Sequence, residues 1–188
     1  KSHITYPCRM INPEEIIHRY CIGNAPLEQL LLQHSRDVAR KALQVADAHP
    51  ELQLDRTFLQ EAALLHDIGI VSVDAPNIHC FGTRPYICHG LAGAEILLGE
   101  GLPRHARVAE RHTGTGITRQ AIEQQGLPLP ADDYTPQTME EQVICYADKF
   151  FSKSHPEHEK TLEEAIRSLW KFGPECTDKM MQWNKMFG

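Results

Sequence analysis

A chain of 188 residues can build one domain with a sizeable core, and 41% apolar and 23% charged residues are ordinary for a globular protein, which excludes long disorder or a fibrous repeat. A net charge of -6 and a pI near 6.0 argue against stable nucleic-acid binding, whose affinity comes from clustered Lys and Arg, and favour a small substrate. Six cysteines without a CxxC pair read as reduced thiols of a cytoplasmic protein, and no apolar run nears the roughly 20 residues that cross a membrane.

Along the chain the pattern is helical nearly throughout, which predicts an all-α fold. Asn12-Pro13-Glu14-Glu15 reads as a helix start: a capping Asn, a Pro whose missing N–H costs nothing there, and acids at the positive end of the dipole. A second helix is predicted from about Pro26 to Ala48, with Leu27, Leu31, Val38, Ala42 and Val45 at helical spacing, and it carries His34. Asp55 caps a third, Arg56 to Asp67, whose Ala62-Ala63-Leu64-Leu65 is apolar on every side and therefore central; Gly69 is placed to end it. From Ile70 to Pro85 helical periodicity is lost, and Pro76, Asn77 and Gly82 predict a loop that covers a site.

Two short helices follow, His89 to Leu98 and Pro103 to His112, then a third around Arg119 to Gln125 and a loop through Pro128, Pro130 and Pro136. A long helix is predicted from about Gln137 to Lys153, carrying Asp148. The tail, about Leu162 to Phe187, is helical with a break at Gly173-Pro174, and Trp170, Met180, Trp183 and Phe187 suggest a packed appendage. With no internal repeat or linker, residues 1–188 read as one domain, with a core over about 26–155 and a helical appendage over about 159–188.

The most informative segment is Leu64-Leu65-His66-Asp67-Ile68-Gly69. An ionised Asp at the end of an apolar helix is costly unless paired or bound to a metal, and the adjacent imidazole is a metal-ligand side chain. The dyad alone reads equally well as a helix C-terminus in which His favours the dipole. What changes the weighing is a set in order: His34, then His66-Asp67, His89, His112 and Asp148.

That order resembles the HD-domain superfamily of metal-dependent phosphohydrolases, with the HDIG subgroup spelled out at His66 to Gly69; the similarity runs over about Gln33 to Phe151. It is sharpened by His89-Gly90-Leu91-Ala92-Gly93-Ala94-Glu95, by Arg111-His112-Thr113-Gly114-Thr115-Gly116 and by Tyr146-Ala147-Asp148. The resemblance implies an HD-type helical bundle with additional N- and C-terminal helices. It also implies that His34, His66, Asp67 and Asp148 bind one metal, and that Asp67 bridges to a second held by His89 and His112, with Asp67 and His66 as the catalytic residues. In some relatives residues placed like His89 and His112 touch the substrate phosphate instead.

Mixed imidazole and carboxylate ligation suits Fe, Mn, Zn, Ni or Co better than an all-oxygen cage for Mg or Ca. Two such ions can activate a shared water toward phosphorus. Phosphate-holding candidates, by nearness in sequence, are Arg84, Arg111, Lys149 and Lys153, each weighed against the commoner role of a solvated cation. The subgroup often has Lys after the HDIG glycine; Ile70 stands there in this chain. Thr113-Gly114-Thr115-Gly116 could offer backbone N–H groups to an anion, or could simply end a helix.

The expected function is hydrolysis of a phosphate ester or anhydride of a small phosphorylated molecule, foremost a nucleotide. His112-Thr113-Gly114 is similar to a segment of bacterial diadenosine tetraphosphate hydrolases of the HD type. Two other classes stand beside this one: a diiron oxygenase of the HD fold, which uses the same six-ligand order, and a ligand-sensing HD module without turnover. Iron with an oxygen-dependent optical signal would mark the oxygenase, and neither metal nor activity would mark the sensor. No membrane partner is expected, and a homo-oligomer is compatible with the sequence.

Overall fold

The computed structural model describes residues 11–188; Cys8 lies outside them. Nine α-helices occur among the described residues: α1 (Pro13–Tyr20), α2 (Ala25–Ala48), α3 (Arg56–Leu65), α4 (His89–Gly99), α5 (Pro103–Arg111), α6 (Arg119–Gln125), α7 (Met139–Asp148), α8 (Leu162–Leu169) and α9 (Pro174–Phe187). The fold is all-α apart from a two-stranded sheet. The predicted caps form: Asn12 Oδ1 accepts from Glu15 N at 3.2 Å, and Asp55 Oδ1 from Phe58 N at 3.1 Å. At α8, Thr161 and Glu164 complete a reciprocal capping box.

Two apolar clusters organise these helices. One joins α2, α3 and α7 to the tail through Val38, Leu59, Ile144, Leu169, Met180 and Trp183. The other joins α1, the start of α2, the end of α3 and α4 through Ile17, Leu31, Leu65, Ile70 and Leu97. α2, α3 and α5 contribute to both, so polar side chains at the ends of these helices are enclosed between two dry cores.

Four local expectations are corrected. Gly69 does not end α3, which stops at Leu65; its φ is not positive, and it packs instead where a Cβ would stand 1.9 Å from His89 O and 2.3 Å from Gly93 N. Residues 70–85 do cover a site, since Asp74 to Ile78 line the same cavity as His89, His112 and Asp148, but they carry short regular elements instead of a plain loop. A 3-10 turn (Ile68–Ser72) leads into β1 (Asp74–Ala75), antiparallel to β2 (Cys80–Phe81), with Asp74 opposite Phe81. Pro76 and the left-handed His79 (φ 63°) reverse the chain, while Ile70, Val73, Ile78 and Cys80 anchor it in the core.

The helix predicted over 137–153 runs only over α7, because Thr138 caps its start and Lys149 N, Phe150 N and Phe151 N all return to carbonyls three residues back after Asp148. In the tail, Met180, Trp183 and Phe187 are buried as expected, but Trp170 is 67% exposed in a 3-10 turn (Trp170–Phe172). Cys21, Cys80, Cys88, Cys145 and Cys176 are free thiols. No helix among the described residues is long and apolar enough to cross a membrane.

Candidate metal centre

The middle of one helix and the ends of four others deliver the six side chains to one place. His34 projects from the middle of α2, His66 and Asp67 follow the last residue of α3, His89 opens α4, His112 follows α5 and Asp148 ends α7. All six are at most 8% exposed. One oxygen of Asp67, Oδ2, lies 3.1 Å from His34 Nε2 and 3.5 Å from His66 Nε2, and Asp148 Oδ1 lies 3.0 Å and 3.4 Å from the same two nitrogens. The other oxygen, Oδ1, faces His112 Nε2 at 3.3 Å and His89 Nε2 at 3.6 Å. The two oxygens thus face two separate ligand sets.

The tautomers follow from the backbone. His66 Nδ1 donates to Ala63 O at 2.6 Å, His89 Nδ1 to Tyr86 O at 2.7 Å and His112 Nδ1 to Ala109 O at 2.7 Å. A carbonyl only accepts, so each Nδ1 carries a proton, and in the neutral form each ring turns a lone pair inward at Nε2. His89 Nε2 and His112 Nε2 consequently face each other at 3.1 Å, lone pair to lone pair. His66 Nε2 and both Asp67 oxygens are buried without a hydrogen-bond partner. Lone pairs converging on carboxylate oxygens repel unless a cation lies among them, so the donor set fits a metal, and two groups could hold one: His34, His66, Asp67 and Asp148, and Asp67, His89 and His112.

The charge states agree. Burial pushes the His89 ring down to about 3, helped by the neighbouring His112, whose ring is lowered by burial too. His34 is the exception: burial opposes its proton, but the bonds to Asp148 and Asp67 outweigh burial and raise it. For Asp67, burial would favour the neutral acid, yet the Lys153 ammonium 2.5 Å from Oδ2 holds the carboxyl well below its usual range. Lys149 does the same for Asp148, at 2.6 Å from Oδ2.

Of the four cations singled out in the sequence, two arrive. Lys153 is at Asp67, and Lys149 ties the ends of α5 and α7 by donating to His112 O at 2.9 Å and to Asp148. Arg84 and Arg111 are not brought in. Arg84 is turned to the surface by Glu95 at 2.8 Å, and Arg111 is held by Glu141 at 3.1 Å on a different cavity, beside Phe58 and Arg107. Their acidic partners on the surface of α4 and at the start of α7 hold these two side chains elsewhere.

The cluster opens into a cavity of about 660 Å³, lined by Tyr86, His89, His112, Asp148, Lys149 and Lys153 and rimmed by Lys160 and Lys171. Sequence reasoning missed Tyr86, whose carbonyl orients His89 and whose ring lies 4.7 Å from the imidazole; its position three residues before a helix-opening His was the available signal. Lys160 and Lys171 carried no signal, since they lie beyond the last ligand and reach the cavity only through the packing of the tail.

With this geometry in view, the comparisons assign the family. A family model described as the HD domain matches residues 31–152, and the chain belongs to that family. It is 33% identical over 149 residues to an uncharacterized protein of Methanocaldococcus jannaschii, covering 77% of this chain and 80% of that one. It is also 39% identical over 126 residues to a tRNA (cytidine(56)-2'-O)-methyltransferase of Picrophilus torridus, covering 66% of this chain but only 32% of that protein. Among solved structures, the HD domain of the L. monocytogenes phosphodiesterase PgpH in complex with cyclic-di-AMP shares the fold, with a TM-score of 0.53 at 19% identity, over 89% of this chain and 81% of that one.

Proposed function

We propose that this protein is a metal-dependent phosphohydrolase that cleaves a phosphate ester or anhydride of a small molecule, with nucleotides as its substrate class. The observation that carries the reading is the buried Asp67 carboxylate, shared between two groups of metal-ligand side chains, of which His89, His112 and Asp148 line a cavity that also holds four lysines. His34, His66, Asp67 and Asp148 would hold one divalent ion, and His89 and His112 would share Asp67 to hold a second. Bound there, the metal supplies Lewis-acid chemistry: it neutralises charge on phosphoryl oxygens and makes a water nucleophilic near neutral pH.

The chain's own part is orientation and charge. The carbonyls of Ala63, Tyr86 and Ala109 hold the Nδ1 sides of three imidazoles and so aim their Nε2 atoms at the centre. Lys149 keeps Asp148 ionised and fixes its position against α5. Lys153, which lines the cavity beside Asp67, would meet a phosphoryl oxygen, and Lys160 and Lys171 would attract an anion to a protein whose net charge is negative. Family membership and the cyclic-di-AMP complex of a structural neighbour support phosphorus chemistry and a nucleotide. The match to the methyltransferase covers 32% of that protein's length, and its activity is not carried over to this chain.

The test is phosphate release or phosphodiester opening from mononucleotides, cyclic dinucleotides and dinucleoside polyphosphates, with Mn, Ni, Co or Fe and with chelator. Turnover that requires metal and falls at least about a hundredfold in Asp67→Ala is the expected result. Metal-loaded protein that cleaves none of these, or an Asp67→Ala variant that retains turnover, would refute the reading.

A further inference from the structure

One wall of the metal cavity takes no part in the chemistry above. It is made by β1 and the turn that follows, from Asp74 to Ile78. The other charged side chains lining the cavity are already accounted for: Lys149, Lys153, Lys160 and Lys171 are donors, and Asp148 belongs to the metal ligands and is held by Lys149. Asp74 is different. Its exposed carboxylate has neither a hydrogen bond nor an ion pair among the described residues, so none of the four lysines neutralises it although all five residues line one cavity. The side chain of Asn77, on the turn, likewise has no hydrogen-bond partner among the described residues.

The backbone beneath these two side chains is anchored. Val73, fully buried, precedes Asp74 and accepts from Gly82 N at 2.8 Å, and Asp74 N donates to Arg84 O at 2.9 Å. Buried Ile78 holds the turn in the core, and Asn24 Nδ2 donates to His79 O at 2.8 Å, which ties the turn to the start of α2. Asp74 and Asn77 are therefore offered to the cavity from a fixed support, and a ligand that meets them has little backbone left to order.

The chemistry of the pair narrows what it meets. An ionised carboxylate only accepts hydrogen bonds, and it repels the phosphoryl oxygens that the lysines attract, so the group bound there is a donor. Four ammonium groups in the same cavity disfavour a cationic amine, which leaves neutral hydroxyls. The two oxygens of one carboxylate accept from two neighbouring hydroxyls at once, and a carboxamide both donates to and accepts from such a pair. We infer that Asp74, assisted by Asn77, is a specificity-determining contact for a vicinal diol on the substrate, the two adjacent sugar hydroxyls that a ribonucleotide carries and a 2'-deoxyribonucleotide lacks. This rests on the phosphohydrolase reading, which puts the phosphoryl group among the lysines; the sugar then lies against the wall at Asp74.

The experiment compares the 5'-monophosphates of adenosine, guanosine and cytidine with their 2'-deoxy counterparts on the full chain loaded with Mn. Each pair is measured as kcat/KM where phosphate is released and as Kd by calorimetry where it is not. At least one ribonucleotide is preferred over its counterpart by at least about tenfold, the order of one hydrogen bond to a charged group. Asp74→Ala, at an exposed position, brings that ratio down to about one while the Mn content is retained. A wild-type chain that binds none of the six compounds or does not discriminate within any pair, or a ratio undiminished in Asp74→Ala, overturns the assignment. Failure of the parent reading looks different: the preference and its loss in Asp74→Ala are seen in Kd, but no phosphate is released.

Discussion

Asp67 is ionised in a place where burial alone would keep a carboxylic acid protonated, and the residues around it make that state tolerable. Both of its oxygens are buried, and its favourable neighbours are the Lys153 ammonium, the His34 ring that holds its proton against burial, and whatever ion the imidazoles hold. Asp67→Ala is expected to remove metal from both groups, whereas His89→Ala is expected to spare the ion held by His34, His66 and Asp148; metal analysis of protein purified without added metal checks both. The proton inventory also sets a pH dependence. His34 holds its proton more tightly than a free imidazole and must release it to bind a metal, so affinity falls as pH falls, on the order of tenfold per unit once His34 is protonated. His89, pushed down to about 3, has no proton to release between pH 5 and 8. Competition titrations with a chromophoric chelator across that range measure the slope, and a flat profile would contradict the charge states described.

At the scale of elements, the site is a meeting of helix ends, and their approach is governed by small residues. Gly69 and Gly93 let the turn after α3 lie against the start of α4, and Gly93 in turn abuts Ala109 of α5, 3.3 Å from where its Cβ would be. Gly69→Ala would drive a methyl into backbone at His89 O and Gly93 N, which no side-chain rotation relieves. The variant should lose about 1–3 kcal/mol or more in urea unfolding and should weaken the His89 and His112 group more than the group on α2 and α7. The brevity of α7 matters similarly. Lys149 keeps helical backbone angles and donates to His112 O, while the turns that follow Asp148 bring Lys153 back to Asp67.

For the whole molecule, the two apolar clusters act as the jaws that enclose the polar centre, and the tail belongs to one of them. Trp183 is 1% exposed and donates from Nε1 to Gln142 Oε1 at 3.0 Å, so α9 is packed directly on α7, which carries Asp148. Trp183→Ala should cost about 3–5 kcal/mol and lower metal affinity with it, whereas Trp170→Ala, at an exposed position, should change stability by no more than about 0.5 kcal/mol. Denaturant midpoints of the two variants make the comparison, and equal losses would mean that the tail does not support the centre.

Read alone, the sequence determined the helical class, most helix boundaries and the residue types of the centre, because caps and apolar spacing are local and because ligand chemistry needs particular side chains. The starts of α1 and α3 and the whole of α6 were legible for that reason. Only the tertiary structure decided which polar residues share the centre. Arg84 and Arg111 are nearer to ligands in sequence than Lys160 and Lys171 are, yet they turn to Glu95 and Glu141, while the distant lysines reach the cavity through the packing of the tail. Side-chain direction and long-range packing, unlike helix capping, are properties of the assembled chain.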